Sequence, residues 1–152
     1  MIIMILGMHR SGTSTISGVL HMNGIIMGTY QNFWPRPLNQ NPKGFYENFD
    51  FRKINDQLLN RAGYDVKSYK PEIPNIQQID SLSDKMKLII KKSNSSYQDW
   101  GWKDPRTCLT ANHWANAIDT LGLQKKLKII FMARRASSVS RSLNQRNDLS
   151  FE

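Results

Sequence analysis

Cysteine is all but missing. Cys108 is the only one in 152 residues, which excludes an internal disulfide and fits a reducing compartment, so a cytoplasmic location is the expectation. Long apolar runs are missing too. Met1–Leu6 is apolar but brief, no basic segment precedes it, and glycine and charge follow at once, so a buried strand is expected there rather than a signal peptide or a membrane span. Acidic residues are scarce, 12 against 21 Lys and Arg, and the formal net charge of +9 points to a polyanionic partner such as nucleic acid, a membrane surface or a heavily phosphorylated cofactor. The cations are scattered apart from Lys91-Lys92, Lys125-Lys126-Lys128 and Arg134-Arg135. There is no arginine-rich arm, zinc-ligand spacing or aromatic RNA-binding motif, so nucleic acid is not the expected partner. An ordinary solvated face is an equally good account of much of this charge. Repeats, low-complexity tracts and interdomain linkers are also absent. At 39% hydrophobic, the 152 residues suit one domain around one core.

What is present is an alternation of strand and helix patterns. Ile2–Leu6 is a continuous β-branched run, as for a strand covered on both faces. Thr13–Asn23 has helical spacing, with Ile16, Val19 and Leu20 on one face and Gly24 as a stop. Gly28–Phe45, broken by proline and glycine, is expected to be a long ordered loop. Helical patterns recur at Phe49–Arg61 (Phe51, Ile54, Leu58), around Leu82, Met86, Ile89 and Ile90, and around Trp114, Ala117, Ile118 and Leu121. Tyr64–Ile79, with Pro71 and Pro74, is expected to be irregular. Trp100–Asp104 and Lys128–Ala133 have strand character, and Ala136–Arg146 resumes helix. This order predicts an α/β domain with a central parallel sheet flanked by helices.

The segment Gly7-Met8-His9-Arg10-Ser11-Gly12-Thr13-Ser14 sits between the first strand and the first helix. Glycines let backbone N–H groups turn inward around a phosphate, and the helix N-terminus behind them faces the anion. Arg10, Ser11, Thr13 and Ser14 supply a cation and hydroxyls. The glycine spacing is that of a nucleotide-binding P-loop, but Thr13 stands where nucleotide triphosphatases carry lysine, and the cation has moved into the loop as Arg10. The alternative is a glycine turn that binds nothing.

Arg10-Ser11-Gly12-Thr13-Ser14 after an N-terminal strand resembles the 5'-phosphosulfate loop of sulfotransferases that use 3'-phosphoadenosine 5'-phosphosulfate (PAPS). Lys128–Arg146 is similar to the 3'-phosphate motif of that family, with Arg134, Val139 and Ser142 at the matching places and Ala136 where many members have proline. Gly101–Thr107 resembles the Lys-Asp-Pro segment of the tyrosylprotein and related bacterial branches, and Asn41–Asn48 a bacterial segment with a Glu just before a helix. The resemblance implies a three-layer P-loop fold. It also implies that members extend beyond the 3'-phosphate helix with further helices and a basic loop, so this chain is expected to lack the family's C-terminal part.

The resemblance further implies PAPS as sulfuryl donor with no metal required. Arg10, Ser11, Gly12, Thr13 and Ser14 would hold the 5' end, Arg134 and Ser142 the 3'-phosphate, and Lys103 would stabilise charge on the bridging oxygen. Glu47 is the candidate general base, with His9, His21 and His113 as alternatives. Without the resemblance, Lys103 would be part of a surface turn, Glu47 a residue favouring the following helix, and Arg134 a solvated arginine. The rival functions are a P-loop kinase of a small molecule or nucleotide, and a non-catalytic nucleotide-binding module. The acceptor stays open among carbohydrate, peptide, lipid and small alcohol, and the oligomeric state is equally open.

Overall fold

The computed structural model describes residues 1–39, 41–65, 72–77 and 79–147, of which 146 and 147 by their backbone alone. The elements run β1 (Ile2–Leu6), α1 (Thr13–Met22), α2 (Phe49–Arg61), α3 (Asp80–Ser96), β2 (Trp100–Lys103), α4 (Thr107–Thr120), β3 (Leu127–Phe131) and α5 (Ala136–Asn147). The three strands form a parallel sheet in the order β2-β1-β3. The fold is α/β, with helices on both faces of the sheet. Residues 66–71 and 78 of the expected irregular stretch lie outside the described residues, as do Gln40 and 148–152.

Strand β1 is central, and its alternation divides the core in two. Ile2 and Met4 face one cluster, built with Phe51, Ile54 and Leu58 of α2, Leu82, Met86 and Ile90 of α3, and Trp114, Ala117 and Ile118 of α4. Ile3 and Ile5 face the other, with Met27 and the half-buried Ile16 and Leu20 of α1. Aromatic contacts stiffen the larger cluster: the Phe51 ring lies 4.8 Å from both Trp102 and Trp114. Val19 departs from its expected place. It points to solvent at 51% exposure, and Thr13, Ser17 and Gly18 take the buried side of α1. Gly18 lies there against the Tyr46 ring, where a Cβ would meet Cε2 at 2.9 Å.

The two edges of the sheet differ. β2 is flanked by Ile26, whose N–H donates to the Asp99 carbonyl and whose own carbonyl accepts from Gly101. β3 is shorter than the apolar run suggested, Leu127–Phe131, and carries Ile129 and Phe131 exposed at 54% and 71%. The segment Gly28–Phe45 is a loop as expected, with a 3-10 turn at Tyr30–Asn32 and bridges from Phe33 to Asn48 and Leu38 to Asn41. Among the described residues no helix is long and apolar enough to cross a membrane.

Candidate functional site

Parallel strands deliver their carboxyl ends to one side of a sheet, which is where α/β domains bind ligands. Here β1 ends in the Gly7 loop, β2 in Lys103 and β3 shortly before Arg134, and Ile5 pairs with both Lys103 and Ile130 in the ladder. A cavity of about 430 Å³ opens over these ends. It is lined by Arg10, Gly12, Thr13, Ser14, Glu47, Lys103 and Arg134, all expected at a site, and by His9, Arg52 and Arg106. The Gly28–Phe45 loop contributes Pro35, Asn41 and Phe45.

The Gly7 loop is shaped by close contacts. A Cβ on Gly7 would lie 2.7 Å from Ser11 Oγ and Thr13 Cγ2 and 2.8 Å from the Met132 carbonyl, so only glycine fits between the loop and the end of β3. Gly12 has φ of 97°, and Arg10 has φ of 65°, a left-handed conformation that costs a side-chain-bearing residue of order 1–3 kcal/mol. The first intrahelical bonds of α1 run from Thr15 and Ile16 back to the Gly12 carbonyl. The N–H groups of Gly12, Thr13 and Ser14 therefore precede the ladder and face the cavity end of the helix. Ser11 has a different place. Its N–H donates to the Met8 carbonyl at 3.1 Å, its hydroxyl is buried without a partner beside Gly7, and it does not line the cavity.

The loop is tied to α5. Arg10 Nε donates to Ser142 Oγ at 2.8 Å, and Arg134 donates to the Arg10 carbonyl at 3.1 Å. The residues expected at the 5' and 3' ends of one nucleotide thus meet through Arg10. A third tie comes from α4, where Cys108 Sγ accepts from the Gly7 N–H at 3.0 Å.

On the β2 side Lys103 and Glu47 form a buried ion pair, Nζ to Oε1 at 2.7 Å, with side-chain exposures of 1% and 8%. Burial pushes the Glu47 carboxyl above its ordinary value, and the neighbouring Lys103 opposes the rise without cancelling it. Glu47 does not cap α2. That place belongs to Asn48, whose side chain accepts from Asp50 N. Nor does Lys103 sit in a surface turn.

Comparison with models of protein families, with curated proteins and with solved structures finds no match.

Four further participants had no role assigned from the sequence, although Asp104 and Arg106 lie in the Gly101–Thr107 segment. Asn55 of α2 is fully buried. It donates to Asp104 at 2.9 Å and to Thr107 at 3.0 Å, and accepts from Thr110 at 2.7 Å and Trp114 at 2.8 Å. Asp104, equally buried, accepts from the backbone and the guanidinium of Arg106, the latter at 2.8 Å. Arg106 also meets Asp56 at 2.7 Å, a charge contact whose N–H is not aligned for a hydrogen bond. Burial works against the Arg106 charge, but Asp104 and Asp56 outweigh it and hold the group above its ordinary value. Arg52 completes the wall from the first turn of α2. Of the histidines, His9 lines the cavity. His21 accepts from the Met27 N–H among Phe33 and Tyr46, and His113 lies on α4 away from the lining.

Proposed function

We propose that this chain is a PAPS-dependent sulfotransferase on a P-loop fold, moving a sulfuryl group to an acceptor hydroxyl or amine. The observation that carries the reading is convergence: three adjacent parallel strands bring the Gly7 loop, Lys103 and Arg134 to one cavity, where Glu47 lies 2.7 Å from Lys103. The donor set fits a bisphosphorylated nucleotide. The free N–H groups of Gly12–Ser14, at the cavity end of α1, suit the 5'-phosphosulfate. Arg134 and Ser142, bridged by Arg10, suit the 3'-phosphate.

In this mechanism the Glu47 carboxylate takes the proton of the acceptor O–H or N–H. The acceptor's electron pair forms the new bond to sulfur as the bond from sulfur to the bridging oxygen breaks. That oxygen keeps the electrons and leaves as part of 3'-phosphoadenosine 5'-phosphate (PAP). Lys103 stabilises the charge that gathers on it. The raised pKa of Glu47 suits a base, because a carboxylate whose conjugate acid has a pKa closer to neutrality accepts a proton more readily.

The test is calorimetric titration with PAP, beside ATP with magnesium, on the wild type and on Arg134→Ala. Metal-independent PAP binding, lost in the variant, is the expected result. Magnesium-dependent preference for ATP would transfer the site to a kinase. Binding of neither would refute the nucleotide site, and tight PAP binding without transfer to any acceptor class would leave a non-catalytic module.

A further inference from the structure

Among the described residues, four of the five Arg and Lys side chains that line the cavity lie close to a protein acceptor. Arg10 reaches Ser142 at 2.8 Å, Lys103 reaches Glu47 at 2.7 Å, Arg106 reaches Asp104 at 2.8 Å, and Arg134 reaches the Arg10 carbonyl at 3.1 Å. Arg52 is the exception. Its one ion pair among the described residues, Nε to Asp56 Oδ2, spans 3.9 Å, and the other oxygen of Asp56 is engaged by Arg106 at 2.7 Å. The side chain is 22% exposed, so most of it has left water without gaining a bonded anion. A guanidinium in that condition is a ready partner for an oxyanion, which it binds through parallel N–H donors.

The strand order says which anion. Arg134 and Arg10, which is held by Ser142 of α5, line the β3 side of the cavity, the Gly7 loop follows β1, and Lys103, Glu47, Arg106 and Arg52 lie on or next to β2 and α2. With strands about 4.8 Å apart, the β2 and β3 ends are about 10 Å from each other, so separate anionic groups serve them. Under the sulfuryl-transfer reading, on which this inference rests, the nucleotide's phosphates occupy β3 and β1, and the sulfur faces Lys103 and Glu47. Arg52 then lies beyond the reacting centre, on the acceptor side. We infer that Arg52 binds an anionic group of the acceptor, so that the acceptor class is a hydroxyl or amine compound bearing a carboxylate, sulfate or phosphate near its nucleophile. Glu47 lies just before the helix that carries Arg52, so an anion held there sets the neighbouring hydroxyl or amine beside the base.

The probe is inorganic sulfate, titrated into the PAP-loaded protein while the arginine Nε–H signals are followed by NMR, with chloride at matched ionic strength as control. The Arg52 signal is identified by its loss in Arg52→Gln, or by through-bond assignment of the wild type should that variant not fold. The expected result is that PAP moves the Arg10 and Arg134 signals and leaves Arg52 in place, after which sulfate shifts the Arg52 signal saturably and chloride does not. An Arg52 signal that ignores sulfate overturns the inference, and one moved by PAP reassigns the residue to the donor. If PAP moves none of the three, the sulfotransferase reading itself fails, and the acceptor assignment falls with it even where sulfate moves Arg52.

Discussion

Lys103 and Glu47 show what a buried pair demands of single residues. Each charge has lost its water, and each is tolerable because the other stands at 2.7 Å. Replacing Lys103 by Met leaves a buried carboxylate alone and is expected to cost about 3–5 kcal/mol of stability by urea unfolding, whereas Lys103→Met with Glu47→Leu recovers most of it. Equal losses in the single and double variants would mean that the two charges do not depend on each other. The same carboxyl sets a pH dependence. Its pKa is raised, so the acid limb of sulfuryl transfer is expected above the ordinary Glu value of about 4.3. Activity falls as pH falls through that raised value, and Glu47→Gln abolishes the limb while slowing transfer by about 10²-fold or more. For stability the sign is opposite: a carboxyl that holds its proton longer when folded favours the fold below its unfolded pKa and loses that contribution as pH rises through the folded one. Arg10 was visible in the sequence as the cation of a glycine loop that follows an apolar run, whereas Lys103 and Arg134 were legible only through the family resemblance. Arg52 and Arg106 were not, because their meeting depends on how α2 packs on α4, which no local pattern encodes.

At the scale of elements, one polar residue holds α2 to α4. Asn55 lies on the buried side of a helix whose other buried residues are almost all apolar, and in sequence it is a gap in the Phe51, Ile54, Leu58 stripe. The structure fills the gap with four hydrogen bonds to Asp104, Thr107, Thr110 and Trp114. Since an unsatisfied buried polar group costs about 1–3 kcal/mol, Asn55→Leu is expected to lose at least about 3 kcal/mol in urea unfolding. Because Asp104 anchors Arg106, the variant is also expected to change the cavity wall at Arg106 while PAP affinity, carried by the β3 side, changes less than about threefold. An equal loss at both ends would make Asn55 a global core residue only. The helices themselves were legible, since α2, α3 and α4 follow apolar spacing, and α2 and α4 end near Gly63 and Gly122. The orientation of α1 was not. Its inner face is made of small residues that admit Tyr46 and the loop, and Val19 was left outside.

The whole molecule distributes apolar surface and charge unevenly, and both distributions are testable. β1 is buried on both faces, so Ile5→Ala is expected to cost about 2–5 kcal/mol, while Ile129→Thr and Phe131→Thr on the exposed face of β3 change stability by about 1 kcal/mol or less. Comparable losses would show that β3 is covered in solution. Charge poses the other question, because a net +9 is equally compatible with a solvated face and with an anion site. In the folded chain Arg10, Arg52, Lys103, Arg106 and Arg134 share one cavity, where Glu47 is the one lining carboxylate among the described residues. Concave, partly dry walls of one sign focus the field that draws in a polyanion, and salt weakens that pull as the Debye length shrinks from about 10 Å at 0.1 M to about 3 Å at 1 M. The PAP association rate, followed by stopped flow, is therefore expected to fall tenfold or more across that salt range. The same decline is expected in a variant that neutralises the remote Lys91 and Lys92, which lie on α3 and do not line the cavity. A rate indifferent to salt, or one that collapses when Lys91 and Lys92 are removed, would assign the field to the outer surface rather than to the cavity.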